Sequence, residues 1–304
     1  MQKAFVLGAG LGTRLRPLTD QVPKPLVPVF HRPLITYAFD HLLDAGVAEF
    51  IVNTHHLPEA YTEAFPQHCY RGAQITFRHE PVLLETAGGI ANIGDLVRDA
   101  PFVVYNGDIL TDLPLAPLLA AHERSGNLAT LALRSTGPGR HIAYDAASGR
   151  ITDIRGKLGT GQPGSHQFTG IYVLSPEFLR HLTLGKIESV IPIWLELIRQ
   201  GAPIGGVVLD EGHWWDLGDR ANYLQAHQAM PQHEPAISPE AHIDPSARLT
   251  GLNVIAAGAT VGPGAVLQDC ILWQGARVEA GATLTRCIVR RGMTASGSLV
   301  DADA

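Results

Sequence analysis

The residues best suited to do chemistry stand near the start of the chain, in the run Gly8-Ala9-Gly10-Leu11-Gly12-Thr13-Arg14-Leu15-Arg16-Pro17-Leu18-Thr19, with Pro23-Lys24-Pro25-Leu26 just behind it. Glycines let a backbone pass close to phosphate oxygens and point successive N–H groups at them. Arg14 can fork onto a phosphate, and Lys24 can supply a compact positive charge. A glycine-rich loop with two arginines and a lysine within twelve residues of its last glycine has the make-up of a triphosphate-handling loop. The plainer reading is a strand-to-helix turn with some surface charge, since such loops are common.

Strands must deliver that loop. The apolar run Ala4-Phe5-Val6-Leu7 before it reads as a buried strand. From His31 to Gly46 the chain reads as a helix: Pro33 fits the first turn, Leu34, Ala38, Leu42 and Ala45 keep helical spacing, and Gly46 can end it in the left-handed conformation. Further strands are expected at Phe50–Asn53, around Ile75–Phe77 and at Pro101–Tyr105, with helices at about Pro58–Phe65 and from Gly88-Gly89 to Val97. Strand, loop and helix thus recur four times in about 110 residues, the pattern of a mostly parallel sheet with helices on both faces. Ligands of such sheets bind off the carboxyl ends of the strands, where both the glycine loop and Asp108 belong.

Beyond Leu128 the pattern becomes an antiparallel addition, with strands at Ala129–Leu133 and Gly170–Leu174 and a turn at Ala146–Gly149. Gly156–Ser165, rich in glycine, reads as a loop and a candidate lid. A helix near Val190–Gln200, a strand at Ile204–Leu209 and a helix at Arg220–Met230 follow, and Pro231-Gln232-His233-Glu234-Pro235 is the linker candidate.

Composition sets outer bounds. The 304 residues, 45% hydrophobic and 17% charged, suit a soluble chain of two domains. A net charge of −6 argues against nucleic-acid or acidic-membrane binding, so an anionic substrate must be met by local cations. No apolar run reaches the roughly 20 residues of a membrane helix, and the N-terminus does not read as a signal peptide; a cytoplasmic protein with no membrane partner is expected. Cys69, Cys270 and Cys287 are too few and too scattered for a disulfide framework or a zinc site and are expected to be buried thiols.

After the linker, apolar residues recur every six positions at Ile237, Ile243, Leu249, Ile255, Val261 and Leu267, with alanines on the same beat at 241, 247, 259 and 265. Gly258–Ile271 aligns with Gly275–Ile288 at an offset of 17, and Ile243–Ala247 with Val261–Ala265 at 18. Three hexapeptides per turn mark a parallel β-helix with triangular coils, in which Cys270 and Cys287 stack on adjacent coils. About three coils is short for a free-standing solenoid, so packing on the first domain or on another subunit is expected. Hexapeptide solenoids also host acyl transfer with a histidine base, but His242, the sole histidine after the linker, lies in the first coil, and fold alone does not assign function.

With these pieces together, essentially the whole chain resembles the sugar-1-phosphate nucleotidylyltransferases. The GxGTRLxPLT element stands at Gly10–Thr19, the PKPLxPV element at Pro23–Val29, an aspartate after the fourth strand at Asp108, and the W-x-D-x-G aspartate at Asp216 within Trp214–Gly218. The resemblance implies an α/β architecture: a Rossmann-like, mostly parallel catalytic domain over residues 1–230, then a short left-handed parallel β-helix over 236–304. It implies a reaction in which a sugar 1-phosphate oxygen attacks the α-phosphorus of a nucleoside triphosphate and expels pyrophosphate, a task of alignment and charge neutralisation needing no general base. Arg14 would hold the β and γ phosphates, Lys24 would bridge toward the α-phosphate, and Asp108 and Asp216 would hold Mg²⁺, a hard ion that prefers oxygen ligands. Without that role Asp108 is a turn residue and Asp216 a helix cap.

The implied nucleotide contacts are Ala9, Gly10, Gly12, Thr13, Gly88 and Asn106. Leu83–Ile90 occupies the place where the family meets base and ribose, with Gly88 and Gly89 read as a helix start with exposed amides, or as plain helix-start glycines. That stretch resembles relatives using UTP with N-acetylmuramate 1-phosphate, whereas the solenoid resembles those using GTP with mannose 1-phosphate. On the sugar side the family's Glu-Lys-Pro is missing after Gly149-Arg150-Ile151; Arg155 or Lys157 could replace the lysine, and Thr169 stands where asparagine is frequent. His55-His56 could line the site or be surface histidines. A homo-oligomer is expected, and a non-catalytic regulatory relative and a dinucleotide dehydrogenase are the alternatives; the charged run Thr13–Arg16, where a helix should start, speaks against the second.

Overall fold

The structure, a computed structural model, describes residues 1–230 and 235–304. Most of the expected linker, residues 231–234, lies outside the described residues. The chain forms two compact units, one of Met1–Leu11 with Ile35–Asp216, the other of Gly12–Leu34 with Leu217–Ala304. These units do not follow the division expected at 230 and 236: the segment after the glycine loop and the last helix group with the solenoid.

The first unit contains twelve strands that matter here: β1 (Lys3–Leu7), β2 (Glu49–Thr54), β3 (Cys69–Tyr70), β4 (Ala73–His79), β5 (Phe102–Asn106), β6 (Ile109–Thr111), β7 (Ala129–Arg134), β8 (Arg140–Asp145), β9 (Arg150–Ile154), β10 (His166–Leu174), β11 (Ile204–Val208) and β12 (Trp214–Asp216). Ten of them form one sheet in the order β8-β9-β11-β7-β10-β5-β1-β2-β4-β3. Strands β5, β1, β2 and β4 run parallel, with Leu7 opposite Asn106, Val6 opposite Val52 and Asn53 opposite Arg78. Their carboxyl ends therefore lie along one edge. Strand β10 enters antiparallel between β5 and β7, which is the antiparallel addition expected from the sequence.

Helices cover both faces of this sheet. Ile51 joins a buried cluster with Ile90 of one helix, Glu85–Asn92, and Trp194 of another, Val190–Arg199. Its neighbour Phe50 points the other way and stacks on Phe39 of the helix Leu34–Asp44, ring centroids 4.4 Å apart. Alternation along one strand thus divides the apolar residues between two layers, each buried large side chain stabilising the fold by about 1.5–3 kcal/mol.

Two local expectations change. The first helix begins at Leu34, not near His31, because Pro28–Val29 and Arg32–Pro33 pair as a short hairpin and the Leu34 N–H returns to the Val27 carbonyl at 3.0 Å. Pro33 belongs to that hairpin; Gly46 does adopt the left-handed conformation, φ 84°. Gly88 and Gly89 lie inside the helix Glu85–Asn92 and do not open it.

In the second unit, the solenoid is built from three parallel sheets of four, four and three strands. His242 pairs with Thr260, Thr260 with Arg277 and Arg277 with Thr294, so the expected offsets of 18 and 17 are the actual coil lengths. Leu249, Leu267, Leu284 and Leu299 stack through the coils, and Ala259, Ala265, Ala276 and Ala282 are buried where the chain turns. A Cβ on Gly262 would lie 2.7 Å from the Ala280 amide nitrogen, so only glycine fits under that coil. The helix Arg220–Ala229 joins hairpin to solenoid: the Tyr223 hydroxyl donates to the Pro28 carbonyl and accepts from Trp273 Nε1 at 3.1 Å. Among the described residues no helix is long and apolar enough to cross a membrane.

Cys270 and Cys287 stack as expected, the Cys287 amide 3.5 Å from Cys270 Sγ, and both are buried; Cys69 is only half-buried. Burial pushes the Cys270 thiol up to about 11. A thiol-reactive dye should therefore label one cysteine quickly in the native protein, Cys69, and all three after unfolding, as read by mass spectrometry.

His227 supplies a pH dependence. It donates from Nδ1 to the Tyr223 carbonyl at 2.8 Å and accepts the Phe30 N–H at Nε2 at 3.0 Å, which secures Phe30 at φ 51° in the hairpin turn. Burial lowers its pKa from 6.5 to about 4, against the raising effect of the Tyr223 hydrogen bond. The unfolded chain gains a proton near pH 6.5 that the folded chain refuses until about pH 4, so its stabilising contribution is whole above 6.5 and is lost as pH falls toward 4. About 3 kcal/mol is involved over that window. Urea unfolding at about pH 7 and about pH 4.5 should show wild type losing about 2 kcal/mol more than His227→Gln.

Candidate active site

Gly8 marks the end of β1, and nothing larger fits there. A Cβ would lie 2.6 Å from the Asn53 carbonyl oxygen and 2.8 Å from the Tyr61 hydroxyl. The Gly8 amide donates to Asn53 Oδ1 at 2.7 Å, and its carbonyl accepts the Tyr61 hydroxyl at 2.8 Å. Burial raises the Tyr61 pKa far above its ordinary value, so the phenol remains a donor. The first glycine is thus an anchor and not a phosphate contact.

Gly10 differs: nothing lies within 4 Å of where its Cβ would stand, and it is exposed. The amides of Ala9, Gly10 and Leu11 have no protein acceptor among the described residues. An anion could occupy these donors.

The chain enters the second unit at Gly12, with φ 61°, where a Cβ would lie 2.8 Å from Thr19 Cγ2 and 3.2 Å from Lys24 Cβ. Thr19 Oγ1 donates to the Gly12 carbonyl at 2.9 Å and closes the loop on itself. Thr13–Leu15 forms one 3₁₀ turn and presents Arg14 exposed, whereas Lys24, in the 3₁₀ turn Lys24–Leu26, is buried. No α-helix follows until Leu34. A dinucleotide-binding βαβ unit needs a helix whose N-terminus meets the pyrophosphate directly after the loop, so the dehydrogenase alternative does not fit.

The two aspartates are 108 residues apart in sequence, yet the first unit sets them side by side. Strand β5 ends at Asn106, the Gly107 amide donates to the Leu7 carbonyl at 3.1 Å, and Asp108 leads into β6. Strand β12 pairs antiparallel with β6, placing Asp216 opposite Ile109 and hence one residue from Asp108 across the ladder. Both are half-buried. The helix that follows is capped by Asp219, whose side chain accepts the Asn222 amide at 2.9 Å, so Asp216 is not a helix cap.

The far end of this ribbon is clamped. Asp112 accepts the His213 amide and lies 3.1 Å from His213 Nδ1, while the Thr111 hydroxyl donates to the His213 carbonyl at 2.6 Å. Burial works to raise the Asp112 pKa, but the His213 contacts outweigh it and hold the carboxyl below its usual value. The His213 and Trp215 rings stack at 5.3 Å. Asp108 and Asp216 supply hard carboxylate oxygens from a stiff ribbon, the donor chemistry that suits Mg²⁺.

Other expected contacts lie elsewhere. Thr169 is wholly buried: its hydroxyl donates to the Ala132 carbonyl at 3.0 Å and its carbonyl accepts Trp214 Nε1 at 2.9 Å. It sits in a bulge of β10 and supports the aspartate ribbon, so it is not available to a sugar phosphate. The next residue, Gly170, has φ 81°, and a Cβ there would come within 2.7 Å of Asn106 Nδ2. Arg155 and Lys157 are exposed beyond β9. The intervening Gly156–Ser165 loop is held by Asp153, which accepts the Leu158 amide at 3.1 Å.

Gly88 is packed against backbone: a Cβ would lie 2.3 Å from the Lys186 carbonyl oxygen, and its amide already donates to the Glu188 carbonyl at 3.2 Å. The exposed helix-start amide expected there is absent. His55 is tied by Nδ1 to the Glu80 carbonyl at 2.7 Å. Sequence reasoning missed Asn53 and Tyr61, which enclose Gly8, and Glu80, which holds the Asn53 amide; none belongs to a glycine-loop or aspartate pattern. The signal available was that Asn53 and Glu80 close parallel strands beside the loop.

Known proteins bear on this geometry. A model of the Nucleotidyl transferase family matches residues 3–233. The mannose-1-phosphate guanylyltransferase of Mycobacterium tuberculosis is 31% identical over 287 residues, covering 90% of this chain and 80% of its own. The UTP–glucose-1-phosphate uridylyltransferase of Synechocystis is 28% identical over 317 residues, with the same coverage. The catalytic subunit beta of mannose-1-phosphate guanylyltransferase from Danio rerio is 31% identical over 228 residues, 73% of this chain and 62% of its own. The matched span contains the glycine loop, Lys24, Asp108 and Asp216, and the chain belongs to the sugar-1-phosphate nucleotidyltransferase family.

Proposed function

We propose that the protein joins GTP and a mannose-type sugar 1-phosphate into a nucleotide sugar with release of pyrophosphate. Transfer from a nucleoside triphosphate to a sugar 1-phosphate follows from the family. The base and sugar are our reading, supported by the likeness to several mannose-1-phosphate guanylyltransferases. UTP with an N-acetylmuramate-type sugar is a second reading, favoured by the wording of Leu83–Ile90.

The reacting oxygen is already anionic, so the protein has only to align it with the α-phosphorus and to disperse charge. In this reading the amides of Ala9 and Gly10 donate to phosphate oxygens without displacing a protein bond, the exposed Arg14 takes the β and γ phosphates, and Lys24 meets charge building at the α-phosphate. Asp108 and Asp216 would hold Mg²⁺, which when bound would supply neutralisation of the triphosphate charge and of the charge developing on the leaving pyrophosphate. The observation that carries this is the β6–β12 pairing, which gathers two distant aspartates beside the end of β5. Arg155 and Lys157 are the cations offered to the sugar phosphate.

Pyrophosphate release from five nucleoside triphosphates, each with a panel of sugar 1-phosphates, should peak with GTP and a mannose-type sugar; a peak with UTP selects the second reading. Asp108→Asn and Lys24→Ala should each lower kcat by about a hundredfold or more while leaving the chain folded. Near-normal rates in both variants would remove the assigned roles. Chelation of divalent metal should abolish turnover, and Mg²⁺ should restore it.

A further inference from the structure

Glu80 is a carboxylate with no solvent exposure, 0%, at the carboxyl end of β4. A buried carboxylate is retained only where its oxygens are met by donors. Here Oε1 accepts Asn53 Nδ2 at 2.8 Å and Oε2 accepts the Leu84 amide at 3.0 Å. The other end of the same Asn53 amide accepts the Gly8 N–H at 2.7 Å. Three hydrogen bonds therefore run in series from the start of the phosphate loop, through Asn53 and Glu80, to Leu84. The helix Glu85–Asn92 lies against this chain so closely that a Cβ on Gly89 would stand 3.0 Å from Glu80 Oε1 and 3.1 Å from Asn53 Nδ2.

We propose that Asn53 and Glu80 are positioning residues that set the spacing between the phosphate loop and the Leu83–Ala87 segment, and thereby the enzyme's choice among nucleoside triphosphates. The inference rests on the reading that these two segments meet the phosphates and the base of one nucleotide. A triphosphate is held at one end whichever base it carries, so discrimination requires the base-side segment to be fixed relative to the phosphate-side segment. Both side chains are buried among protein groups. Each acts through a backbone amide, Gly8 or Leu84, and a relay of buried polar groups suits this task because it is stiff only when every member is satisfied.

The direction of the hydrogen bonds makes the proposal testable by exchange. In Glu80→Gln, one side-chain end becomes a donor and must confront either the Asn53 amide or the Leu84 N–H. In Asn53→Asp, two carboxylates confront each other. The double variant, Asn53→Asp with Glu80→Gln, exchanges the two roles. The carboxylate now at position 53 accepts the Gly8 N–H and one amide proton from the side chain at position 80, whose carbonyl oxygen accepts the Leu84 N–H. All three bonds return, with one negative charge as before.

The measurement is the dissociation constant for each of five nucleoside triphosphates, by calorimetry, together with KM and kcat for the full-length chain. Each single variant is expected to weaken binding of the preferred triphosphate about tenfold and to cut its preference over the runner-up by a similar factor, with the KM for sugar 1-phosphate unchanged. The double variant is expected to recover both within about threefold. Folded single variants with wild-type selectivity overturn the proposal, as does a double variant no more selective than the worse single one. If the single variants do not fold, a folded, selective double variant supports the proposal, and a double variant that is unfolded or unselective overturns it. A wild-type chain that binds no triphosphate overturns this inference and the functional reading together, whereas unchanged variants of an active wild type overturn this inference alone.

Discussion

The site depends first on how the chain leaves β1. At Gly8 the backbone passes between Asn53 and Tyr61 with no room for a side chain, its N–H and C=O both bonded to those residues. The loop beyond therefore starts from a fixed point and a fixed direction, and a polar contact made farther along it costs less loop entropy at the moment of binding. Gly12, within the second unit, is confined too, since Thr19 and the stem of Lys24 occupy the space its side chain would need. Between the two anchors only Gly10 is open, so the three glycines of one motif do three different things.

The aspartates show the same logic at longer range. No local pattern could bring Asp108 and Asp216 together; a pair of three-residue strands does it, and the Asp112–His213 contact closes the ribbon behind them. Short ribbons are weak by themselves. This one is supported from the β10 side as well, through Trp214 on the Thr169 carbonyl, which explains why a wholly buried threonine stands where a substrate contact was expected.

Legibility in the sequence followed the range of the interactions. The solenoid was readable to the coil length because each hexapeptide repeats the same apolar position, so Leu249, Leu267 and Leu284 report one another. The parallel half of the sheet was readable from four apolar runs, and the glycine loop from its density of glycine and cation. What escaped depended on partners far away in sequence. The hairpin around Phe30 requires His227 as an acceptor, the glycine at 88 answers to Lys186, and Glu80 looks like a surface acid until Asn53 and Leu84 enclose it. Gly88 does not start the helix for this reason: a glycine pair in sequence reads as exposed backbone, and here it marks a backbone packed against another.

That distinction bears on how a chain with a net charge of −6 can handle a tetra-anionic substrate at all. Overall charge repels the substrate, and an exposed arginine attracts it only weakly through water. What remains is preorganisation: amides already aimed, carboxylates already paired across a ribbon, and a loop whose anchors have given their own hydrogen bonds to the protein. Donors fixed in this way need no reorganisation as charge develops, which is the condition under which they favour the transition state over the bound substrate. Around Gly8 the polar atoms are bonded to Asn53 and Tyr61, while the Gly10 amide two residues on is left open, an arrangement of the kind that condition requires.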